Sequence, residues 1–210
     1  ASGKDRRSGA NLHTSFKLNR SGEYLGLYNG ELPPRAVHEF APMFPEQRDD
    51  YSYGLDSGSR PCYFLTATPG RSNAESATAS GFVEDPVPSV PRGTYSEAFD
   101  VLLATPTEGA AIFYRTDPQG RALNADTGTA YAGPVRIAPA AGRGAVLLRA
   151  VAIKEGLLPS EVVTTTYLFP EYVLTQGKAP EGFPSPWGNA TVIKADYEVD
   201  PRVVATPEYR

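Results

Sequence analysis

The side chains that could do chemistry fall into a few groups. Asn124-Ala125-Asp126-Thr127-Gly128 has the oxygen spacing that opens a calcium loop, with Asp117 the nearest additional ligand in sequence. It lacks the further Asp or Asn and the distant bidentate Glu that complete the set, so a polar hairpin loop is the simpler reading. A glycosidase pair would be drawn from Glu97, Asp100, Asp117 and Asp126, but nothing around them spells a cleft, and edge charges on a sheet are ordinarily solvated. His13 and His38 are the only histidines, and two histidines without a thiolate set make a poor metal site. Cys62 is the only cysteine, so no intrachain disulfide can form, and its neighbours Tyr63-Phe64-Leu65 suit a buried thiol better than a nucleophile. Among the aromatics, Tyr95, Tyr131 and Trp187 lie near predicted turns, where a ring could stack on a sugar face. Tyr114 and Tyr167 read instead as core or corner tyrosines.

The elements that must position these groups are strands. Twenty Gly and twenty Pro in 210 residues favour many turns and few helices. Between Ser89 and Phe169 the apolar residues recur with period two and no helical period appears. In Phe99-Asp100-Val101-Leu102-Leu103, residues 99, 101 and 103 share a face, and Ile112 and Tyr114 do so in the next run. Val146 to Ile153 is apolar on nearly both faces, so both are expected to be covered. Val162 to Phe169 closes the set with β-branched and aromatic residues. The expected fold is all-β, with two immunoglobulin-like antiparallel sandwich modules, the first incomplete, and an irregular proline-rich tail.

Upstream, His13 to Leu18 alternates, Asn19-Arg20-Ser21-Gly22 turns, and Glu23 to Tyr28 alternates again, which predicts a hairpin. Further strands are expected at Ala36–Phe40, around Tyr51-Ser52-Tyr53-Gly54 and at Cys62-Tyr63-Phe64-Leu65. Gly81-Phe82-Val83 is expected to dock locally. Residues 170–176 fit a short helix, and Asp200 with Pro201 has the signature of a helix start.

Three successions of motifs carry a resemblance. Gly93-Thr94-Tyr95, Phe99 to Leu103, Gly109 to Asp117, Tyr131 to Val135, Leu148 to Ala152 and Gly156 to Ser160 resemble the chitobiase/β-hexosaminidase C-terminal domain family, an immunoglobulin-like or fibronectin-III-associated module of bacterial secreted proteins. The chain departs from that family's Tyr-Thr-x-Asp-Gly-Ser hairpin at Tyr114-Arg115-Thr116-Asp117-Pro118-Gln119. Proline replaces a residue that tolerates positive φ, so the turn must be rebuilt. His13 to Leu18, Gly22 to Leu27, Phe40 to Pro42, Tyr51 to Gly54 and Thr68 to Asn73 resemble the C-terminal half of a bacterial lamin-tail domain, which implies that the chain begins inside that domain. Leu174 to Gln176, Phe183-Pro184, Trp187-Gly188 and Tyr197 to Tyr209 resemble the lead-in to a spore-coat H-type kinase-like domain. That domain's phosphate loop, lysine and metal-binding aspartates are not in these residues.

The implied organisation is a mobile 1–12, a partial lamin-tail-like domain over 13–73, a linker over 74–88, a chitobiase C-terminal-like sandwich over 89–169 and a proline-rich linker over 170–210. The expected function is that of a non-catalytic spacer and interaction module in a secreted or cell-surface bacterial multidomain protein. Its partners would be neighbouring domains of the same parent chain, with no cofactor and no enzyme activity. The alternative is an accessory module that binds extracellular polysaccharide. A formal charge of −4 with dispersed basic residues argues against nucleic acid, and no run of about 18 apolar residues is present to span a bilayer as a helix.

Overall fold

The computed structural model describes residues 3–5, 7–8, 14–117, 122–140, 143–180, 184 and 195–209. The chain divides into two compact units, Ala1–Ser80 and Gly81–Arg210. Both are built from short, mostly antiparallel strands, with only two short α-helices among the described residues. The fold class is all-β.

In the first unit, β1 (Leu25–Tyr28) and β2 (Ala36–Phe40) form a two-stranded ribbon. Strands β3 (Ser52–Leu55), β4 (Pro61–Phe64) and β5 (Thr78–Ala79) form a sheet in that order. The predicted hairpin between 13–18 and 23–28 is corrected here. β1 takes β2 as its partner, with Leu25 opposite Phe40 and Leu27 opposite His38, and His13 lies outside the described residues. The turn residues do turn: Gly22 N–H donates to the Asn19 carbonyl at 3.1 Å, and Asn19 N–H donates to the Glu23 carboxylate at 2.6 Å. The turn clasps residues 44–47, however. Phe44 N–H donates to the Glu23 carbonyl and Gln47 N–H to the Arg20 carbonyl. Gly22 is at φ +97, and a Cβ there would overlap the Phe44 carbonyl, so only glycine fits this clasp.

This unit's core is small. Phe44, Cys62, Tyr63, Phe64 and Ala79 are buried, and the rings of Phe40, Tyr53 and Tyr63 touch in series at 5.5 and 4.9 Å, tying the ribbon to the sheet. Residues 74–88, expected to be a linker, are in fact structured. β5 pairs with β4, Ser76 is buried with its hydroxyl accepting the Thr66 N–H, and Val83 is wholly buried in the second unit. The boundary between units falls within this stretch, at Ser80/Gly81.

The second unit contains β6 (Val87–Pro88), β7 (Gly93–Thr94), β8 (Phe99–Val101), β9 (Leu103–Ala104), β10 (Ala111–Arg115), β11 (Thr129–Ala130), β12 (Val135–Ile137), β13 (Ala145–Ile153) and β14 (Val163–Leu168). One layer runs β11-β10-β13-β14-β7, with β14 and β7 parallel. The other is made by β12 on β8 and β6 on β9, where β8 and β9 are consecutive pieces of one extended run broken at Leu102. The break has a visible cause: the Ser89 hydroxyl accepts the Leu102 N–H, and Ser89 N–H donates to the Leu102 carbonyl, both at 2.8 Å.

The predicted alternation holds. Val101, Leu103, Val135 and Ile137 of one layer share a single buried cluster with Ile112, Val146, Leu148, Ala150, Ala152 and Tyr167 of the other. Asp100 and Arg136 point outward and pair at 3.4 Å, an exposed contact that contributes little. Val151, on the opposite face of β13 from the cluster, is also buried, so both faces of that strand are covered at this point.

Polar groups in this interior are paired, as burial demands. The Tyr167 ring has no exposed surface and its hydroxyl donates to the Val90 carbonyl at 2.9 Å. Burial pushes its phenol up to about 12, with a smaller contribution from Tyr95. The buried Ser160 hydroxyl accepts the Ala152 N–H at 2.8 Å and donates to the Glu161 carbonyl. Phe82 bridges to Leu158 as expected for local docking.

After Phe169 the expected helix appears as α1 (Pro170–Leu174). The expected helix start at Asp200 is also found: α2 (Pro201–Ala205) is capped by the Asp200 carboxylate, which accepts the Arg202 N–H. Between them the tail returns on itself rather than running as a plain linker. The Gln176 amide donates to the Tyr197 carbonyl, Tyr197 N–H donates to the Lys178 carbonyl, and Lys178 pairs with Glu198 at 3.2 Å.

Candidate functional site

Among the described residues, those with predicted chemistry form no common metal cluster. Tyr95 is half-buried, its ring 4.4 Å from Phe99 and 5.9 Å from Tyr167, and its hydroxyl donates to the Pro91 carbonyl at 2.8 Å. Tyr131 is half-buried too. Its ring meets Tyr114 edge-on, and its hydroxyl accepts the Leu103 N–H at 3.1 Å. Both rings pack against the sandwich core, and both hydroxyls serve backbone groups, that of Tyr95 the segment before β7 and that of Tyr131 strand β9. Trp187 lies outside the described residues.

Asn124 organises its loop internally. Its side-chain oxygen accepts the N–H groups of Asp126 and Thr127, each at 3.0 Å, which is an Asx turn. The Thr127 hydroxyl in turn accepts the Asn124 N–H and donates to the Ala122 carbonyl. Asp126 is exposed, and Asp117 is paired with Arg115. A calcium ion bound here would have to compete with two N–H donors and a guanidinium for the same oxygens. Among the described residues no three His, Cys, Asp or Glu side chains come together where a metal could be held.

His38 is exposed and stacks edge-on against Phe40 at 4.8 Å. Cys62 is buried, as its neighbours suggested. Burial pushes its thiol up, and the charge of Asp56 adds to the effect; a thiol held protonated is a weak nucleophile. Among the described residues the surface carries several hollows. One of about 340 Å³ is lined by Glu171, Leu174, Thr175 and Val204, and another of about 90 Å³ by Leu18, Leu25, Phe40, Phe44, Gln47 and Tyr53.

A grouping that the sequence reading missed sits on the β1–β2 ribbon. Tyr24 and Tyr28 flank Gly26 at period two, so all three share a face, and the ribbon's register sets Glu39 directly opposite Gly26. The Tyr24 hydroxyl donates to Glu39 Oε2 at 2.9 Å, and the Tyr24 and Tyr28 hydroxyls meet at 2.6 Å. With the Tyr24 proton given to Glu39, Tyr28 is the donor of the second bond. Having given its proton to the Glu39 carboxylate, Tyr24 stays a donor to that group. Both rings fold toward the backbone: a Cβ at residue 26 would lie 2.5 Å from Tyr24 Oη and 2.7 Å from Tyr28 Cε2. Tyr24 and Tyr28 remain 44% and 49% exposed. The Tyr-x-x-x-Tyr spacing was readable in the sequence, whereas Glu39 enters only through the β1–β2 pairing, which was not.

Among the described residues no helix is long and apolar enough to cross a membrane. Compared with known proteins, the chain matches no family model, no curated protein and no solved structure.

Proposed function

We propose that the chain is a non-catalytic spacer and contact module of a secreted or cell-surface bacterial protein. In this reading it holds a following domain, of the spore-coat H kinase-like type, at a set distance and orientation. The resemblances to the chitobiase C-terminal family over residues 89–169 and to the lamin-tail family over 13–73 motivate it. The observation that carries it is the interior of the second unit, where two layers close on one apolar cluster and the buried Tyr167 and Ser160 hydroxyls are spent on backbone groups. A rigid body of this kind transmits position without chemistry. The test is to replace residues 89–169, in the protein as its host makes it, with an unrelated β-sandwich of the same end-to-end length. Retained activity of the parent supports the spacer reading, and lost activity sinks it.

The polysaccharide alternative, in the form that used Tyr95, Tyr131 and Trp187, gains no support from the first two, since their hydroxyls and much of their rings are engaged within the sandwich.

A further inference from the structure

We propose that the Tyr24–Tyr28–Glu39 face of the β1–β2 ribbon is a binding site for a neutral glycan, with a pyranose ring stacked on the tyrosines and its hydroxyls donating to the Glu39 carboxylate. The inference stands apart from the spacer reading, because it concerns a surface of the first unit that no spacer role requires.

The chemistry of the face narrows its occupant. Glu39 leaves a carboxylate at the rim of two exposed rings, which disfavours an anion. A purely apolar partner would bury that carboxylate without adequate pairing, at a prohibitive desolvation cost. A cage that encloses a compact cation needs a gap between the rings, and here the phenol tips close on each other at 2.6 Å; a cation laid over one ring is the competing occupant that the oligolysine arm of the experiment decides. Two exposed rings beside a carboxylate acceptor match a neutral ligand with an apolar C–H face and hydroxyl donors around its edge, which is a sugar ring. The face also has the rigidity that weak stacking requires. The Tyr28–Tyr24–Glu39 chain of hydrogen bonds fixes both side chains before any ligand arrives, which lowers the entropic cost of binding. Gly26 removes the side chain that would otherwise hold the rings off the backbone.

The experiment titrates the whole 210-residue chain with soluble neutral oligosaccharides derived from cellulose, xylan, mannan and starch, and with oligolysine as the cationic control, following backbone amide resonances. The expected result is saturable, weak binding of at least one oligosaccharide, with shifts confined to β1 and β2. Tyr28→Ala should weaken it about tenfold, the scale of one lost aromatic contact. Glu39→Gln should weaken it by a smaller factor, while Tyr95→Phe and Tyr131→Phe should leave it unchanged. Tyr24→Phe serves as a second variant that keeps the ring while cutting the hydroxyl chain, and it should also weaken binding. Unperturbed β3–β4 resonances would verify that the variants are folded. The proposal is overturned if no oligosaccharide saturates, if Tyr28→Ala binds as the unchanged chain does, if the shifts fall on the second unit, or if oligolysine binds in place of the sugars.

Discussion

The two units use the same raw material, short alternating strands rich in Tyr, Val and Leu, and reach different ends. In the Gly81–Arg210 unit the inward-facing apolar stripes meet an opposing layer, so Val101, Ile137 and Tyr167 lose all exposed surface. In the Ala1–Ser80 unit the ribbon packs Phe40 on Tyr53, and among the described residues much of the rest of it stays exposed. Leu27 and Val37 are 63% and 64% exposed, and Leu32 is 96% exposed. Hydrophobic alternation is therefore a statement about one face of one strand. Whether that face contributes stability depends on a second layer supplied from far along the chain. An unclosed sheet keeps side chains accessible, and the grouping of exposed aromatic and acidic side chains described above lies on the unit that did not close.

The contrast is broken or sharpened most strongly by cutting each core. Leu148→Ala should destabilise the second unit by about 2–5 kcal/mol and Phe64→Ala the first by about 3–5 kcal/mol. Leu27→Ser should change stability by less than about 0.5 kcal/mol, because an exposed side chain has little burial to lose. Amide exchange in β13 and β4 reads the two units separately. If Leu27→Ser costs as much as Leu148→Ala, the ribbon is covered in solution and the comparison fails.

Next in size is Ser160→Ala. It removes the hydroxyl that accepts the Ala152 N–H within a buried stretch and should cost about 1–3 kcal/mol. A thermal melt showing no change would mean that water replaces the hydroxyl there.

Much of the second unit was legible because its signals are local. Asp100 and Arg136 interrupt apolar neighbours at period two, and the Asp200-Pro201 start needs only adjacent residues. What was hidden depends on pairing. β5 is two residues inside a Ser, Ala and Thr-rich run, held by backbone bonds to β4, and β7 is a Gly-Thr pair bonded in parallel to β14. Neither has a side-chain pattern to read. The partial burial of Tyr95 and Tyr131 was hidden for a related reason. Nearness to a turn suggested exposure, but each ring leans back over the adjacent core, and only the opposing strand shows that. The β1–β2 register, which brings Glu39 to the tyrosines, was obscured because the Asn19–Gly22 turn invites a hairpin with the wrong strand.

Tyr167→Phe is a smaller change, expected to cost about 1 kcal/mol at neutral pH through the lost bond to Val90, and its pH dependence is more telling. Burial pushes the folded phenol up to about 12, above its ordinary 10.0. The unfolded chain therefore releases this proton first, so its contribution is complete below pH 10 and declines as the pH rises toward 12. In the second unit the unchanged protein should lose stability over that window, and Tyr167→Phe should lose less. An identical decline in both would show that another group controls the alkaline limb.

The mildest test lies at the opposite end of the pH scale and in the opposite unit. Asp56 closes the β3–β4 turn: one carboxylate oxygen accepts the N–H groups of Gly58 and Arg60, and the other accepts from the Arg60 side chain. The Arg60 backbone bond, then its side chain, hold the carboxyl below its ordinary 3.8. A depressed folded value means that the stabilisation is present above pH 3.8 and fades as the pH falls through the folded value. Asp56→Asn should accordingly weaken protection of β3 and β4 at pH 6, with the difference shrinking as the pH is lowered below 3.8, and it should leave β13 untouched. A difference that persists undiminished at low pH would locate the effect in the shape of the turn rather than in the charge that caps it.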